Sequence, residues 1–299
     1  MKKIIVVVTL AALFYSCSFN KAFLQPTVFP QNITFAKQPT SKKNDTLVVL
    51  FSGATHQPTF TINRKDTLKM NYTIESVNFK SADGNILNGW FLKPKNAKAK
   101  ITILHLHGNA GCLLDQYRAI APLVKDTFQI FMFDYSGFGF SNGKPTRKNV
   151  LIDANSALDY LESRADVKNT KIVIYGQSLG GNLAPVLASE RQNEIDGLVT
   201  EGAFSSHKDI AAHEVPILGR LFVKQGYSAK KAIRNFHKPY LLIHSREDKT
   251  VPFYMSKIIF KNANEPKEFY AIDKCHICGP TYYADSISIK IKNMLANGK

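Results

Sequence analysis

The residues best suited to chemistry in this chain are a serine, an acid and a histidine that occur in that order. Ser178 lies in Gly176-Gln177-Ser178-Leu179-Gly180, between a strand-like run at 171–175 and a helix-compatible stretch at 182–191. A serine on a tight turn from strand to helix projects its hydroxyl above the sheet edge, and flanking glycines let the chain turn there without a side-chain clash. We therefore predict that Ser178 is a nucleophile. The alternative is a glycine-rich turn whose serine caps the next helix.

A nucleophilic serine needs a general base, and the base needs an acid that holds it in one tautomer. Asp248 lies in a loop just after a strand-like run at 240–244, and His276 follows another at 268–272. His276 is also the only histidine C-terminal to Asp248. We predict Asp248 as the orienting acid and His276 as the base. Three other carboxylates remain alternatives for the acid: Glu201, Glu247 and Asp273.

The third component of such a site is a pair of backbone amides that stabilise the oxyanion of the reacting carbonyl. A buried strand-like run at 101–106 leads into His107-Gly108-Asn109-Ala110-Gly111, where a backbone N–H can turn toward the substrate. We predict that the N–H groups of Asn109 and Leu179 are the oxyanion donors. Ala110 is the alternative to Asn109.

Four segments together resemble the alpha/beta-hydrolase superfamily: His107-Gly108-Asn109-Ala110-Gly111, Asp134-Tyr135-Ser136-Gly137-Phe138-Gly139, Gly176-Gln177-Ser178-Leu179-Gly180-Gly181 and His244-Ser245-Arg246-Glu247-Asp248. From about Tyr72 onward the chain is most similar to the small-lid, membrane-associated branch related to serine aminopeptidase-like hydrolases and protein depalmitoylases. The resemblance implies an ester, thioester or amide hydrolase that acts on a small-molecule or acylated substrate and uses no metal or organic cofactor. The neighbours of His276, Lys274-Cys275-His276-Ile277-Cys278, depart from the family's glycine-containing turn.

The elements that must position these residues follow from the hydrophobic pattern. Strand-like and helix-like runs alternate from Ile101 onward, as a mainly parallel sheet requires. An antiparallel pair at 74–80 and 86–92 is predicted to lead into this sheet through Asp83-Gly84. A chain of 299 residues with 44% hydrophobic content can bury one substantial core. The resemblance implies the rest of the architecture: an α/β fold with an eight-stranded, mainly parallel sheet, helices on both faces and a small lid at about 204–238.

The N-terminus predicts export. A basic Met1-Lys2-Lys3 precedes an apolar stretch at 4–15, which would measure about 18 Å as a helix and is too short for a hydrocarbon core of roughly 30 Å. It is therefore predicted to be a signal peptide. Leu13-Phe14-Tyr15-Ser16-Cys17 resembles a bacterial lipoprotein cleavage site, so we predict lipidation of Cys17 and a membrane-anchored protein of the bacterial cell envelope. The alternatives are ordinary cleavage with secretion, or an uncleaved interfacial anchor.

These patterns divide the chain into three regions. Residues 1–17 are the signal peptide with its lipoprotein-like cysteine, residues 18–71 are a tether with a possible extra hairpin at 46–51 and 58–62, and residues 72–299 are the hydrolase domain. The tether interpretation rests on the prolines and polar residues between Ser18 and about Asn44.

The remaining cysteines are Cys112, Cys275 and Cys278, an odd number for an exported protein. Cys275 and Cys278 bracket His276, so a disulfide between them would lock or distort the predicted site. The alternative is that these cysteines are small buried hydrophobes. A single Cys-x-x-Cys lacks the second ligand pair of a zinc site, so no metal is expected.

The chain is basic, with 39 Lys and Arg against 23 Asp and Glu and a net charge of +16. In the predicted lid, seven Lys and Arg residues face only Asp209 and Glu214. Such a basic lid suits an anionic membrane surface or an acidic substrate, and it equally suits a solvated face that keeps the protein soluble. The basic residues are dispersed and belong to no recognised reading module, so no nucleic-acid partner is expected. We expect a monomer.

The predicted chemistry is acyl transfer through a covalent serine intermediate. Esters or thioesters rank above amides, because amide cleavage requires protonation of a poorer leaving group. A serine peptidase or an acyltransferase are the alternative enzymes. An envelope binding protein that keeps the fold without turnover is the alternative from a different class.

Overall fold

The computed structural model describes residues 22–40, 45–125 and 127–297. The predicted signal peptide and Cys17 lie outside the described residues. No helix in the described ranges is both long and apolar enough to cross a membrane.

The described residues form strands and helices whose bounds follow. The strands in chain order are β1 (Gln25–Pro26), β2 (Phe35–Pro39), β3 (Thr46–Ser52), β4 (Gln57–Ile62), β5 (Asp66–Thr67), β6 (Tyr72–Lys80), β7 (Ile86–Pro94), β8 (Ile101–Leu106), β9 (Ala110–Gly111), β10 (Phe128–Phe133), β11 (Lys171–Gln177), β12 (Gly197–Glu201), β13 (Tyr240–Ser245) and β14 (Lys267–Ile272). The helices are α1 (Leu113–Gln116), α2 (Arg147–Ser163), α3 (Leu179–Glu190), α4 (His207–Glu214), α5 (Leu218–Phe222), α6 (Ala229–Ala232), α7 (Phe253–Asn262) and α8 (Gly279–Asn297).

The central sheet contains eight strands in the order β14-β13-β12-β11-β8-β10-β7-β6, which confirms the predicted α/β fold. Strands β8 and β10 to β14 are parallel, and β6 and β7 add the predicted antiparallel pair at one edge. Strands β8, β10, β12 and β13 are buried along their whole length, because helices cover both faces of a parallel sheet. The carboxyl ends of β8, β11, β12 and β13 therefore meet at one edge of the sheet.

The core has two layers, one on each face of this sheet. On one face α2 and α3 pack their apolar sides against residues such as Phe131 and Ile174. On the other face α8 packs against residues such as Val173 and Ile243. Successive residues of β11 therefore face opposite layers, as the period of a strand requires. This packing fixes the strand ends that carry the candidate site.

The region before the main domain is folded in its described parts. Strands β3 and β4 pair as the predicted hairpin and join β2 and β5 in a four-stranded antiparallel sheet. Residues 22–40, which we expected to be part of a tether, instead contribute β1 and β2, and Leu24 is buried in the main core. Apolar side chains at Leu24 and Phe29 explain the difference, because they gain free energy by packing against the domain.

The predicted lid region, residues 204–238, holds the short helices α4, α5 and α6. Ser206 caps α4 by accepting a hydrogen bond from Asp209 N–H at 3.1 Å. The lid also carries three exposed apolar side chains, those of Ile217, Leu218 and Leu221.

Candidate active site

Ser178 occupies the turn between β11 and α3. Its backbone dihedrals are φ 55° and ψ −112°, a region that non-glycine residues seldom adopt. The turn is held from outside the helix, because Ser178 N–H donates to the carbonyl oxygen of Glu201 at 3.0 Å. A strained serine held in this way presents its side chain above the sheet edge.

The turn also requires the two glycines that flank Ser178. A Cβ on Gly176 would lie 2.2 Å from the Gly180 carbonyl oxygen. A Cβ on Gly180 would lie 1.9 Å from the carbonyl oxygen of Leu106, at the end of β8. Both contacts are with backbone atoms that cannot move aside, so the tight approach of strand, turn and helix depends on glycine at both positions.

Asp248 and His276 are brought together from two different loops. Asp248 Oδ2 lies 2.6 Å from His276 Nδ1, a short hydrogen bond between ring nitrogen and carboxylate. The Asp248 side chain is fully buried, whereas the His276 side chain is 16% exposed. With Nδ1–H donated to the carboxylate, the other ring nitrogen, Nε2, carries the lone pair. This arrangement fixes the tautomer that a general base requires.

Asp248 is held in its ionised form by several donors. Its Oδ1 accepts hydrogen bonds from the N–H groups of Thr250 and Val251, each at 2.8 Å. Burial alone would raise the pKa of Asp248, but hydrogen bonds from His244 and His276 and the charge of His276 outweigh burial and hold this pKa below its ordinary range. Asp248 therefore remains a carboxylate near neutral pH.

His276 lies next to the elbow that carries Ser178. A Cβ on Gly202 would lie 2.9 Å from His276 Cε1, and Gly202 directly follows the residue that binds Ser178 N–H. The side-chain amide of Gln177 also reaches the Ile277 carbonyl at 3.4 Å. His276 Nε2 is buried and has no hydrogen-bond partner among the described residues, so no hydrogen bond joins it to Ser178 in this structure. Such bonds often tighten only when substrate is bound.

The predicted oxyanion donors also lie close to Ser178, and both line the same cavity as Ser178. A Cβ on Gly108 would lie 3.7 Å from Ser178 Cβ, and Gly180 N–H donates to the carbonyl of His107 at 3.2 Å. Leu179 is the first residue of α3, so its N–H has no acceptor within the helix. No hydrogen bond from Asn109 N–H or Leu179 N–H to another described residue is present. Both amides are therefore available to a substrate oxygen.

A cavity of about 290 Å³ opens at Ser178. Asn109, Ser178 and Leu179 line its base, and its walls are largely apolar: Ala22, Phe23, Phe204, Ile210, Ala211 and Val251. Glu214 and Thr250 complete the lining. A mostly apolar cavity of this size next to Ser178 can hold an apolar group of a small ligand.

None of the three alternative acids contacts His276 through a hydrogen bond. Glu247 accepts from Lys274 N–H at 3.1 Å, and Asp273 pairs with Arg246 at 3.2 Å in an exposed position. Glu201 is buried and accepts hydrogen bonds from the Tyr175 hydroxyl at 2.8 Å, the Gln177 amide at 2.7 Å and Gly279 N–H at 2.6 Å. Both carboxylate oxygens of Glu201 are therefore occupied by groups other than His276.

The cysteines divide into a bonded pair and a buried thiol. Cys275 and Cys278 form a disulfide that encloses His276. Cys112 is free and buried at the start of α1. Among the described residues, the carboxylates close enough to hold a metal ion are those of Asp159, Glu162 and Glu194, but the guanidinium of Arg191 already pairs with all three.

The sequence interpretation missed Ala22 and Phe23, which line the cavity from far upstream in the chain. No motif or periodicity marks them, because β1 has only two residues. It also missed His244 as a neighbour of Asp248, with His244 Nε2 3.3 Å from Asp248 Oδ2. The sequence could have indicated this neighbour, since His244 and Asp248 lie only four residues apart in the same segment.

Comparisons with known proteins identify the family and the fold of this chain. Residues 101–228 match the family model described as alpha/beta hydrolase fold. The uncharacterized protein YfhR of Escherichia coli O157:H7 is 34% identical over 206 residues, which cover 67% of this chain and 72% of YfhR. The alpha/beta hydrolase domain-containing protein WAV2 of Arabidopsis thaliana is 28% identical over 210 residues, covering 65% of this chain and 68% of WAV2.

Among solved structures, the esterase Pf2001 of Pyrococcus furiosus superposes with a TM-score of 0.62 at 18% identity, covering 76% of this chain and 93% of the esterase. At this identity the likeness is one of fold. The match to YfhR over most of both chains, together with the family model and the serine elbow on an eight-stranded sheet, shows that this chain belongs to the alpha/beta hydrolase family.

Proposed function

We propose that this protein is a serine hydrolase that cleaves carboxylic esters or thioesters through an acyl-enzyme intermediate. Ser178 is the nucleophile, His276 the general base and Asp248 the acid that orients it. The observation that carries the proposal is the 2.6 Å bond between Asp248 and His276 beside a strained serine at the base of an apolar cavity.

The first half of the reaction forms the acyl-enzyme. His276 Nε2 takes the proton of the Ser178 hydroxyl as its oxygen attacks the carbonyl carbon. The negative charge that develops on the carbonyl oxygen is stabilised by the N–H groups of Asn109 and Leu179. The protonated His276 then gives its proton to the departing alcohol or thiol, and Asp248 stabilises the imidazolium.

The second half releases the acid. A water molecule takes the place of the leaving group, His276 Nε2 removes its proton, and the resulting hydroxide attacks the acyl-enzyme carbonyl. Collapse of this second tetrahedral intermediate expels Ser178 and returns the proton to it. The largely apolar walls of the cavity support an ester or thioester over a peptide substrate, and the acyl chain would lie against these walls through both steps.

The experiment is a hydrolysis panel of p-nitrophenyl esters, acyl thioesters and aminoacyl-nitroanilides, with a fluorophosphonate probe for activated serine. We expect ester or thioester turnover and rapid labelling of the wild-type chain. Ser178→Ala should abolish both, with a loss in kcat of about 10⁶-fold and little change in the melting temperature. Turnover of nitroanilides alone would favour a peptidase, and turnover retained in Ser178→Ala would overturn the assignment of the nucleophile.

We also propose that the protein is anchored to the membrane through a lipidated Cys17. Ala22, which lines the cavity, is five positions after Cys17, and a chain of five residues spans at most about 18 Å when fully extended. The cavity would then lie close to the bilayer. The exposed Ile217, Leu218 and Leu221 of the lid support this position, because apolar side chains partition into the membrane interface.

Expression in a bacterium fed an alkynyl fatty acid tests the anchor. The wild-type chain should incorporate the label and sediment with membranes, while Cys17→Ala should do neither. Labelling of the Cys17→Ala variant would contradict the proposed acylation site. Hydrolysis by the purified variant keeps this test separate from the test of activity.

A further inference from the structure

Residues 22–29, the first residues that the structure describes, run past the candidate active site. We call this segment the N-terminal strap. Gln25 N–H donates to the Asn109 carbonyl at 3.0 Å, and Thr27 N–H donates to the Gly111 carbonyl at 2.8 Å. These bonds join β1 to β9 in parallel. The strap is therefore bonded directly to the loop that carries the proposed oxyanion donor.

The strap is also bonded to a second loop at the edge of the sheet. Gly139 N–H donates to the Thr27 carbonyl, and Phe29 N–H donates to the Gly139 carbonyl, each at 2.8 Å. The N–H groups of alternate residues 25, 27 and 29 thus face these loops. The intervening positions give no such bond: Pro26 has no N–H, and Val28, 60% exposed, donates to no described residue. The segment is bonded as a strand and is not a loose linker.

Phe23 forms part of the wall of the cavity that opens at Ser178. Its ring lies 4.9 Å from the ring of His207 in an edge contact and 6.5 Å from that of Phe204. The Arg147 guanidinium lies 5.7 Å from the Phe23 ring. These contacts fix the ring from several sides. The adjacent Leu24 is buried in the main core, so the strap cannot move away without exposing it.

We infer that the N-terminal strap completes the active site: Phe23 sets the length of the acyl chain that the cavity accepts, and the backbone of Gln25 positions the oxyanion loop. The inference rests on the proposed hydrolase function and adds a specificity-determining residue and a positioning contact to it. Both lie upstream of residues 101–228, the part that matches the family model.

Two opposite changes at Phe23 test the specificity role in the full chain. Phe23→Ala should enlarge the cavity and Phe23→Trp should fill it. We expect the ratio of kcat/KM for p-nitrophenyl octanoate to that for the acetate to rise about tenfold in Phe23→Ala and to fall about tenfold in Phe23→Trp, since a methylene in an apolar pocket is worth at least that factor. An unchanged ratio in both variants would overturn the role of Phe23.

A pair of proline substitutions tests the positioning role. Gln25→Pro removes the N–H that binds Asn109, whereas Val28→Pro removes an N–H that binds no described residue. We expect a loss in kcat of about tenfold with little change in KM for Gln25→Pro, because a small misplacement of an oxyanion donor weakens transition-state binding, and a kcat near wild type for Val28→Pro. If Gln25→Pro melts early, Thr27→Pro offers the same comparison one bonded position along the strap. Equal kcat values for Val28→Pro and for the variants at the bonded positions 25 and 27 would contradict the positioning role.

The same measurements separate failure of the inference from failure of the proposed function. A wild-type chain that turns over esters while all strap variants behave like it would overturn the inference alone. A wild-type chain that reacts with fluorophosphonates but not with esters would contradict the esterase proposal, and short-chain and long-chain alkyl fluorophosphonates would then replace the esters in the Phe23 comparison. A wild-type chain with neither reactivity would overturn both.

Discussion

Two buried carboxylates lie at the carboxyl ends of neighbouring strands and have opposite surroundings. Asp248, just after β13, accepts from the imidazoles of His244 and His276, and these partners lower its pKa. Glu201, the last residue of β12, accepts from uncharged donors, those of Tyr175, Gln177 and Gly279. Burial raises the pKa of Glu201, and the same hydrogen bonds only partly offset it.

Both carboxylates lie at the end of a strand, yet only Asp248 forms a hydrogen bond with His276. Position at the end of a strand therefore does not decide which carboxylate can orient the histidine. Glu201 is close enough to His276 for the histidine's charge to lower its pKa, yet its oxygens are occupied by other groups. Its bond to Gly279 N–H ties down the chain just beyond the disulfide that encloses His276. We therefore expect Asp248 to act on the tautomer of His276 and Glu201 to act on the position of the loop.

Of the changes that separate the two carboxylates, Asp248→Asn should have the largest effect. The amide would turn a donor toward His276 Nδ1 and favour the wrong tautomer, so kcat should fall by about 10⁴-fold. The measurement is steady-state hydrolysis of a p-nitrophenyl ester. Asp273→Asn is the matched control, because the Asp273 carboxylate is exposed and pairs with Arg246. A loss at Asp273 equal to that at Asp248 would reverse the assignment of the acid.

Glu201→Gln should change stability more than activity. In the wild type both carboxylate oxygens of Glu201 accept hydrogen bonds. Whichever way the new amide is turned, its NH₂ group replaces one of these oxygens and meets another donor, so that hydrogen bond is lost. The free energy of unfolding should therefore fall by about 1–3 kcal/mol. Urea unfolding measures this change, and we expect kcat to fall by no more than about tenfold through a shifted loop. A loss in kcat as large as that of Asp248→Asn would mean that the two carboxylates share one role.

The two carboxylates should also influence stability at opposite ends of the pH range. A lowered pKa means that the stability contributed by Asp248 is present above its ordinary value of 3.8 and is lost as the pH falls below it. A raised pKa means that the stability associated with Glu201 is present below its ordinary value of 4.5 and is lost as the pH rises through its folded value.

Difference curves of unfolding free energy against pH, wild type minus variant, check these signs. Asp248→Asn should change the curve below about pH 4, and Glu201→Gln should change it above about pH 4.5. Differences are needed because Asp153 and Asp134, with pKa values raised by burial to about 6 and about 8, titrate in the upper range in every variant. The difference should rise with pH for Asp248→Asn and fall with pH for Glu201→Gln. Two difference curves that slope in the same direction would contradict the opposite pKa shifts of the two carboxylates.

The smallest effect should come from removing the disulfide. Cys275→Ser combined with Cys278→Ser leaves His276 bonded to Asp248 and Gly279 bonded to Glu201, so we expect kcat to fall about threefold. Dithiothreitol should produce the same change in the wild-type protein and none in the double variant. Combined with Glu201→Gln, the loss should exceed the product of the separate losses, because both features hold one loop. A combined loss in kcat equal to the product of the separate losses would mean that the disulfide and Glu201 do not hold the same loop.

Much of the fold was predictable because its signals are local. The apolar runs of β8, β11 and β13 and the glycines around Ser178 each follow from a few neighbouring residues. The order serine, acid, histidine then indicated the candidate site. The four-stranded sheet was only half predicted, because its outer strands β2 and β5 carry weak patterns and are stabilised by pairing with β3 and β4.

The sequence by itself determined where the serine elbow lies, since Gly176 and Gly180 flank Ser178 between a strand-like and a helix-compatible run and let the chain turn tightly there. Tertiary structure alone decided which carboxylate meets His276 and which residues close the cavity. Those outcomes depend on contacts between segments far apart in the chain, such as Gln25 with Asn109 and Glu201 with Gly279. No local pattern encodes such contacts, because their free energy arises only when the sheet has brought the segments together.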